Sequence, residues 1–298
     1  MTEFLEILKG LLFGIIEGIT EWLPVSSTGH IILLDEFIRL SVAPSLGDVF
    51  AAEFMSMFEV VIQLGAIMAV VVLFFNKLNP FAKNKTEAQR KGTWTLWFKV
   101  AVASIPAAFV GIVVDKLVEE ISGRDIDGWI YNFITVAIAL IVYGILFIVI
   151  EKLQKNKEPK IDEVDYISYK EALLMGGFQM LAIIPGTSRS GSTILGARML
   201  GISRSAAAEF SFFMGIPAML GASLLKSLGF FSYVLEYGVA VPFIAWAVLF
   251  IATAVSFGVS LVTIRFLMNF VKSHDFIPFG IYRIALGAVL ILYYLIRY

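Results

Sequence analysis

Residues 129–150 read WIYNFITVAIALIVYGILFIVI, without Asp, Glu, Lys, Arg or His. A helix rises about 1.5 Å per residue, so roughly 20 apolar residues cross a hydrocarbon layer about 30 Å thick. The stretch predicts a transmembrane helix, and five more qualify on the same grounds: 53–75, 93–114, 206–228, 239–264 and 276–297. Composition agrees. Across 298 residues, 59% are hydrophobic and 16% charged, with mean hydropathy +0.86, which excludes a water-soluble enzyme. Lys and Arg number 23 against 24 Asp and Glu, so there is no basic field to hold nucleic acid. The absence of Cys excludes disulfides, thiolate metal sites and Cys nucleophiles. No cleavable signal peptide is expected, because Glu17, Glu21 and His30 interrupt residues 11–34.

Two further stretches, 4–40 and 171–203, are apolar at their ends but broken centrally by Pro, Gly, Ser and charge. They read as re-entrant helix pairs, whose irregular backbone is tolerated at membrane depth only beside protein or a watery cavity. Loop charge sets the expected orientation. The segments 76–99, 151–170 and 265–283 hold fourteen Lys and Arg and the opposing segments six, with Asp115, Glu119, Glu120, Asp125 and Asp127 also on the opposing side. Both termini should therefore face outside. Ala51-Ala52-Glu53-Phe54 recurs as Ala207-Ala208-Glu209-Phe210 and Leu64-Gly65-Ala66 as Leu220-Gly221-Ala222, both 156 residues on, with a weaker match between Phe133 and Phe279. The expected architecture is a single all-α polytopic membrane domain over 1–298, with six transmembrane helices and two re-entrant pairs. Repeat one (1–150) and repeat two (171–298) each hold one re-entrant pair and three spans, joined by a cytoplasmic connector at 151–170. Three spans per half invert the second half, and broken segments in such repeats meet near the midplane.

The chemistry concentrates in those breaks. Glu17 and Glu21, four apart, share a helix face and repel, so at depth they need a metal, an Arg or a proton; the alternative is a surface helix with both carboxylates in water. Pro24-Val25-Ser26-Ser27-Thr28-Gly29-His30 places three hydroxyls between a helix-stopping proline and a glycine, more than one helix cap uses. Pro185-Gly186-Thr187-Ser188-Arg189-Ser190-Gly191 surrounds a guanidinium with hydroxyls and flexible backbone, a phosphate-recognising combination; the alternative is an Arg snorkelling to the interface, as expected of Arg198 and Arg204. At an offset of 162 residues, Glu17 falls opposite Gln179 and Ser27 opposite Arg189. Pro106, Pro217 and Pro242 read as kinks, Arg283 and His274 as cytoplasmic anchors, and Glu53 and Glu209 as helix-end residues outside the site. Carboxylates beside an anion loop suggest phosphoryl transfer with a divalent cation. Glu17 and Glu21 would hold metal or activate the nucleophile, Ser27 or a water would attack phosphorus, and Arg189 with Ser188 and Ser190 would stabilise the equatorial oxygens.

The segments from Glu17 to His30 and from Pro185 to Gly191 resemble the signatures of the undecaprenyl-diphosphatase (bacitracin-resistance) family, in the same order and separation. The likeness covers essentially the whole chain, including Gln63-Leu64-Gly65-Ala66 and Tyr282-Arg283-Ile284-Ala285-Leu286-Gly287. It implies hydrolysis of undecaprenyl diphosphate to the monophosphate, recycling the carrier for peptidoglycan and other envelope polymers and linked to bacitracin resistance. It further implies a bacterial inner-membrane location, a site open to the outer (periplasmic) face, and stimulation by Mg²⁺ or Ca²⁺. Carried over by motif, the acidic pair falls on Glu17 and Glu21, the serine nucleophile on Ser27, the histidine on His30 and the arginine on Arg189. Ser26, Thr28, Gly186, Thr187, Ser188 and Ser190 are the expected phosphate-binding residues. Trp22 stands where the family pattern has Phe. Expected partners are the polyprenyl diphosphate and membrane lipids, without nucleic acid; the reading admits a homodimer. The competing reading is a polyprenyl-phosphate flippase or transporter using the same midplane anion site, since inverted repeats also serve alternating access.

Overall fold

The computed structural model describes residues 2–123, 126–130 and 132–297. Arg124, Asp125 and Tyr131 lie outside them, as does the side chain of Asp127, so their part in the charge and span readings is not addressed. Ten helices carry the architecture: α1 (Thr2–Thr20), α2 (Ser27–Phe37), α3 (Gly47–Leu73), α4 (Glu87–Phe109), α5 (Phe133–Gln154), α6 (Tyr169–Met180), α7 (Arg189–Met199), α8 (Arg204–Glu236), α9 (Phe243–Ser273) and α10 (Ile277–Arg297). Among the described residues there is no strand, only an isolated bridge between Ile161 and Ile202.

Six helical segments are long and apolar enough to cross a membrane: Pro44–Leu73, Glu87–Ser122, Phe133–Gln154, Arg204–Glu236, Phe243–Ser273 and Ile277–Arg297. Each predicted span is present, and several run further than hydropathy alone marks. The helix ends explain the extra turns. Thr86 and Gln89 form a reciprocal capping box that starts α4 in polar sequence, and Ser203 caps α8. Pro106 lies inside α4, which passes into a π-helical turn at Val110–Val114. Pro217 also lies inside a helix, but Pro242 does not kink one. It is the N-cap of α9, a place where its missing N–H costs nothing.

Helices cross closely where glycine removes the side chain. A Cβ on Gly14 of α1 would stand 2.4 Å from the Ala252 carbonyl of α9, and one on Gly176 of α6 would stand 2.1 Å from the Ala103 carbonyl of α4. Small residues admit such backbone approach within lipid, where packing rather than hydrophobicity joins helices. The short helices α1 and α6 are thus each seated against a long span. Outward faces remain apolar: Phe98, Phe250, Val262 and Leu292 are exposed, as lipid contact requires.

Two arginine expectations are corrected. Arg198 does not snorkel; it is buried and donates to Glu151 Oε1 at 2.8 Å and to the Ile202 carbonyl at 2.7 Å. Arg204 pairs with the other oxygen of Glu151 at 2.6 Å. One carboxylate at the end of α5 therefore ties the end of α7 to the start of α8, because a buried charge is tolerated when paired and hydrogen-bonded. Arg283, expected as a cytoplasmic anchor, is completely buried between the two broken segments.

Candidate active site

The chain turns between α1 and α2 and between α6 and α7 in matching ways. Ser26 and Ser188 occupy left-handed backbone, φ 78° and 70°, a conformation that costs a side-chain-bearing residue roughly 1–2 kcal/mol. Each is an N-cap whose hydroxyl accepts from the glycine amide three residues on, Gly29 at 3.3 Å and Gly191 at 3.0 Å. The prolines end one helix, the serines open the next, and the glycines leave room for the cap. Both new helices present first-turn amides that have no intrahelical acceptor, with the positive end of their dipoles.

These N-termini meet. A small niche of about 90 Å³ is lined by Glu21, Ser27, Thr28, Gln63, Gly186, Ser188 and Arg189, among others. Ser27 Oγ donates to Glu21 Oε2 at 2.7 Å, while Arg189 Nη2 donates to Glu21 Oε1 at 3.1 Å across 168 positions of sequence. The other terminal nitrogen, Nη1, donates to the Ser211 carbonyl at 2.9 Å, and Nε is buried without a partner. Ser190 Oγ donates to the Glu21 carbonyl at 3.0 Å, anchoring one loop on the other. Gly215 of α8 makes space for the guanidinium, since a Cβ there would stand 2.8 to 3.0 Å from Arg189 Nη2, Cζ and Nη1. The niche opens beside a cleft of about 830 Å³, with which it shares Thr28, Gln63, Ala182 and Pro185. Arg39, Asp48, Glu59 and Lys226 also line that cleft.

The remaining expected residues sit behind the lining. Glu17 is buried beside Glu21, with Oε1 unpartnered, and feels the charges of Glu21, Glu59 and Arg189. Ser26 and Thr187 are fully buried, and Ser190 nearly so. His30 does not line the niche: Nδ1 donates to the Ser26 carbonyl at 2.7 Å and Nε2 lies 2.7 Å from the Tyr282 hydroxyl. A carbonyl only accepts, so the Nδ1 proton is assigned. Gln179, matched with Glu17 in the loop alignment, is likewise buried and has no side-chain partner. Sequence reasoning missed Gly215, Arg283 and the niche role of Gln63. Gln63 and Arg283 each lay in a segment of family likeness, Gln63-Leu64-Gly65-Ala66 and Tyr282-Arg283-Ile284-Ala285-Leu286-Gly287, whereas Gly215 carried no such signal.

The carboxylates of the site suit a divalent cation that is shared with substrate. Among the described residues no group of three or more His, Asp or Glu forms a cage. The adjacent Glu17 and Glu21 carboxylates, with Glu17 Oε1 unpartnered, suit an ion that takes one or two carboxylates and completes its shell with phosphate and water.

The chain is 52% identical over 292 residues to a protein of Enterococcus faecalis, covering 98% of this chain and 99% of that one. It is 50% identical over 291 residues to one of Acetivibrio thermocellus, with 98% of each covered. With one of Lactococcus lactis subsp. lactis it is 47% identical over 300 residues, covering 98% and 99%. All three are named undecaprenyl-diphosphatase. The family described as Bacitracin resistance protein BacA matches residues 10–289, and this chain belongs to that family.

Proposed function

We propose that the niche between the two loops is the active site of an undecaprenyl-diphosphatase. The chain is a membrane-embedded hydrolase of undecaprenyl diphosphate, and its family name implies a role in bacitracin resistance. The observation that carries the site assignment is the Glu21–Arg189 pair, with Ser27 on the same carboxylate, at two converging helix N-termini.

The terminal phosphoryl group occupies the niche, and the rest of the diphosphate and the polyprenyl chain extend through the adjoining cleft. Arg189, Ser188 and Thr28 with the first-turn amides hold the phosphoryl oxygens. Ser27 Oγ attacks the terminal phosphorus as its proton passes to Glu21. The anhydride P–O bond breaks and undecaprenyl phosphate leaves. Glu21 gives that proton to the departing phosphate, then takes one from a water that attacks the phosphoserine; as the serine P–O bond breaks, Glu21 returns a proton to Ser27 Oγ and phosphate leaves. The hydrogen bond from Ser27 to Glu21 supports serine as nucleophile. Glu17 and Glu21 would hold a Mg²⁺ or Ca²⁺, which when bound neutralises diphosphate charge. His30, which holds the Ser26 carbonyl, orients the loop.

The proposed architecture is an inverted repeat of 1–150 and 171–298 with re-entrant pairs at 4–40 and 171–203. It is supported by the Ser26 and Ser188 caps and by the contacts of Gly14 and Gly176, both pairs being 162 residues apart. Loop charge supports both termini facing outside, and the family resemblance supports a bacterial inner-membrane setting with the site open to the outer face. The test is phosphate release from synthetic undecaprenyl diphosphate by purified protein, with and without chelator. Glu21→Gln and Arg189→Ala should each lower kcat by about 10²- to 10⁴-fold; wild-type turnover in either removes the site assignment. Labelled phosphate trapped on Ser27 under rapid quench is the expected sign of the serine path, and its absence at every time point would transfer the attack to water.

A further inference from the structure

Arg283 of α10 is a charged side chain with no exposed surface. Nη1 donates to the Pro24 carbonyl at 3.1 Å, while Nη2 donates to the carbonyls of Gly186 at 2.8 Å and Thr187 at 2.9 Å. Pro24 lies two residues before Ser26, and Gly186 and Thr187 immediately precede Ser188. A single planar fork therefore bridges the two loops just ahead of their strained caps. The guanidinium carbon lies 5.6 Å from the Tyr143 ring centroid, and a Cβ on Gly191 would approach Nη1 to 3.1 Å, so the group is held by its packing as well.

No carboxylate among the described residues is paired with Arg283. A buried guanidinium without a counter-ion is costly to keep, and carbonyls alone could be satisfied by neutral donors. Arg, however, carries five donors on a rigid plane, so it can bond acceptors on both loops at once and fix their separation and angle. Left-handed serines persist only where their surroundings over-determine them, and the three carbonyl bonds beside them do this.

We propose that Arg283 is a positioning residue for the hydrolysis: it locks the loop bearing Ser27 to the loop bearing Arg189, so that both address one phosphoryl group. It touches no substrate. The inference rests on the reading of the niche as the phosphate site.

The test compares Arg283→Ala and Arg283→Lys with wild type in phosphate release and thermal unfolding. Arg283→Ala should lower kcat by about 100-fold, the loss typical of a misplacement near 1 Å, with KM little changed. Arg283→Lys should recover part, because a compact ammonium cannot span both loops. Guanidinium ion below denaturing concentration should restore turnover to Arg283→Ala, and matched urea should not, a rescue that a merely structural residue would not show. Wild-type kcat in either folded variant, a loss confined to KM, or no guanidinium rescue of a folded Arg283→Ala overturns the proposal. If Arg283→Ala does not fold, Arg283→Lys decides: reduced kcat supports the proposal and wild-type kcat overturns it. Glu21→Gln and Arg189→Ala, assayed alongside, separate the two failures. Should they turn over normally, the phosphate-site reading fails; should they be inactive while Arg283 variants are normal, only the positioning role does.

Discussion

Glu21 accepts from Ser27 and from Arg189 through its two carboxylate oxygens, while its backbone carbonyl accepts from Ser190. A carboxylate held this way has little freedom to rotate, which in the proposed mechanism sets its Ser27-facing oxygen for proton transfer without reorganisation. Arg189 is fixed in turn by the Ser211 carbonyl and by the absence of a side chain on Gly215. Gly215→Ala puts a methyl 2.8 Å from Nη2, so the guanidinium must shift from both acceptors. The expected result is a kcat lower by about 10²-fold, while thermal unfolding stays close to wild type because the displaced atoms end a flexible side chain. Phosphate release and a melting curve on the same preparation check it; unchanged kcat would mean that the fork tolerates displacement.

The helices α1 and α6 aim the two loops; α1 approaches α9 closely through Gly10, Gly14 and Gly18, and α6 approaches α4 through Gly176. Gly14 meets α9 and Gly176 meets α4 at distances no Cβ can share with a carbonyl. Gly14→Val and Gly176→Val should therefore each destabilise the protein by about 1–3 kcal/mol through overpacking, read as a lower unfolding temperature in detergent. Matching losses fit equivalent seats for the two helices; a loss at one site alone would count against the repeat. Capping is the second device at this scale. Ser168 and Glu171 form a reciprocal box at the start of α6, defining its start on the connector side by local hydrogen bonds. The Ser168 bonds hold the Glu171 carboxyl below the usual carboxylate range. That contribution is full above the ordinary Glu value and is lost as pH falls through the lowered one.

At the scale of the whole molecule, the proposed orientation can be tested directly because the chain contains no Cys. Single substitutions Asp48→Cys, beside the cleft, and Lys157→Cys, in the connector, supply two unambiguous reporters. A membrane-impermeant maleimide added to intact cells should label the first and spare the second; the reverse pattern inverts the topology. The sequence alone determined the class of fold, since six apolar runs have no other stable state in lipid than helices whose backbone bonds are internal. It also located both loops, because polar residues inside apolar segments stand out against their surroundings. Span ends were less legible, since capping boxes extend helices into polar sequence that hydropathy scores as loop. Tertiary structure alone decided which candidates share the niche, that Arg198 and Arg204 turn inward to Glu151, that His30 faces Tyr282, and that Arg283 sits beneath both loops. Local pattern reports the solvent preference of a residue, but the partner of a buried charge is chosen by distance in space, and Arg189 reaches Glu21 across 168 positions of chain.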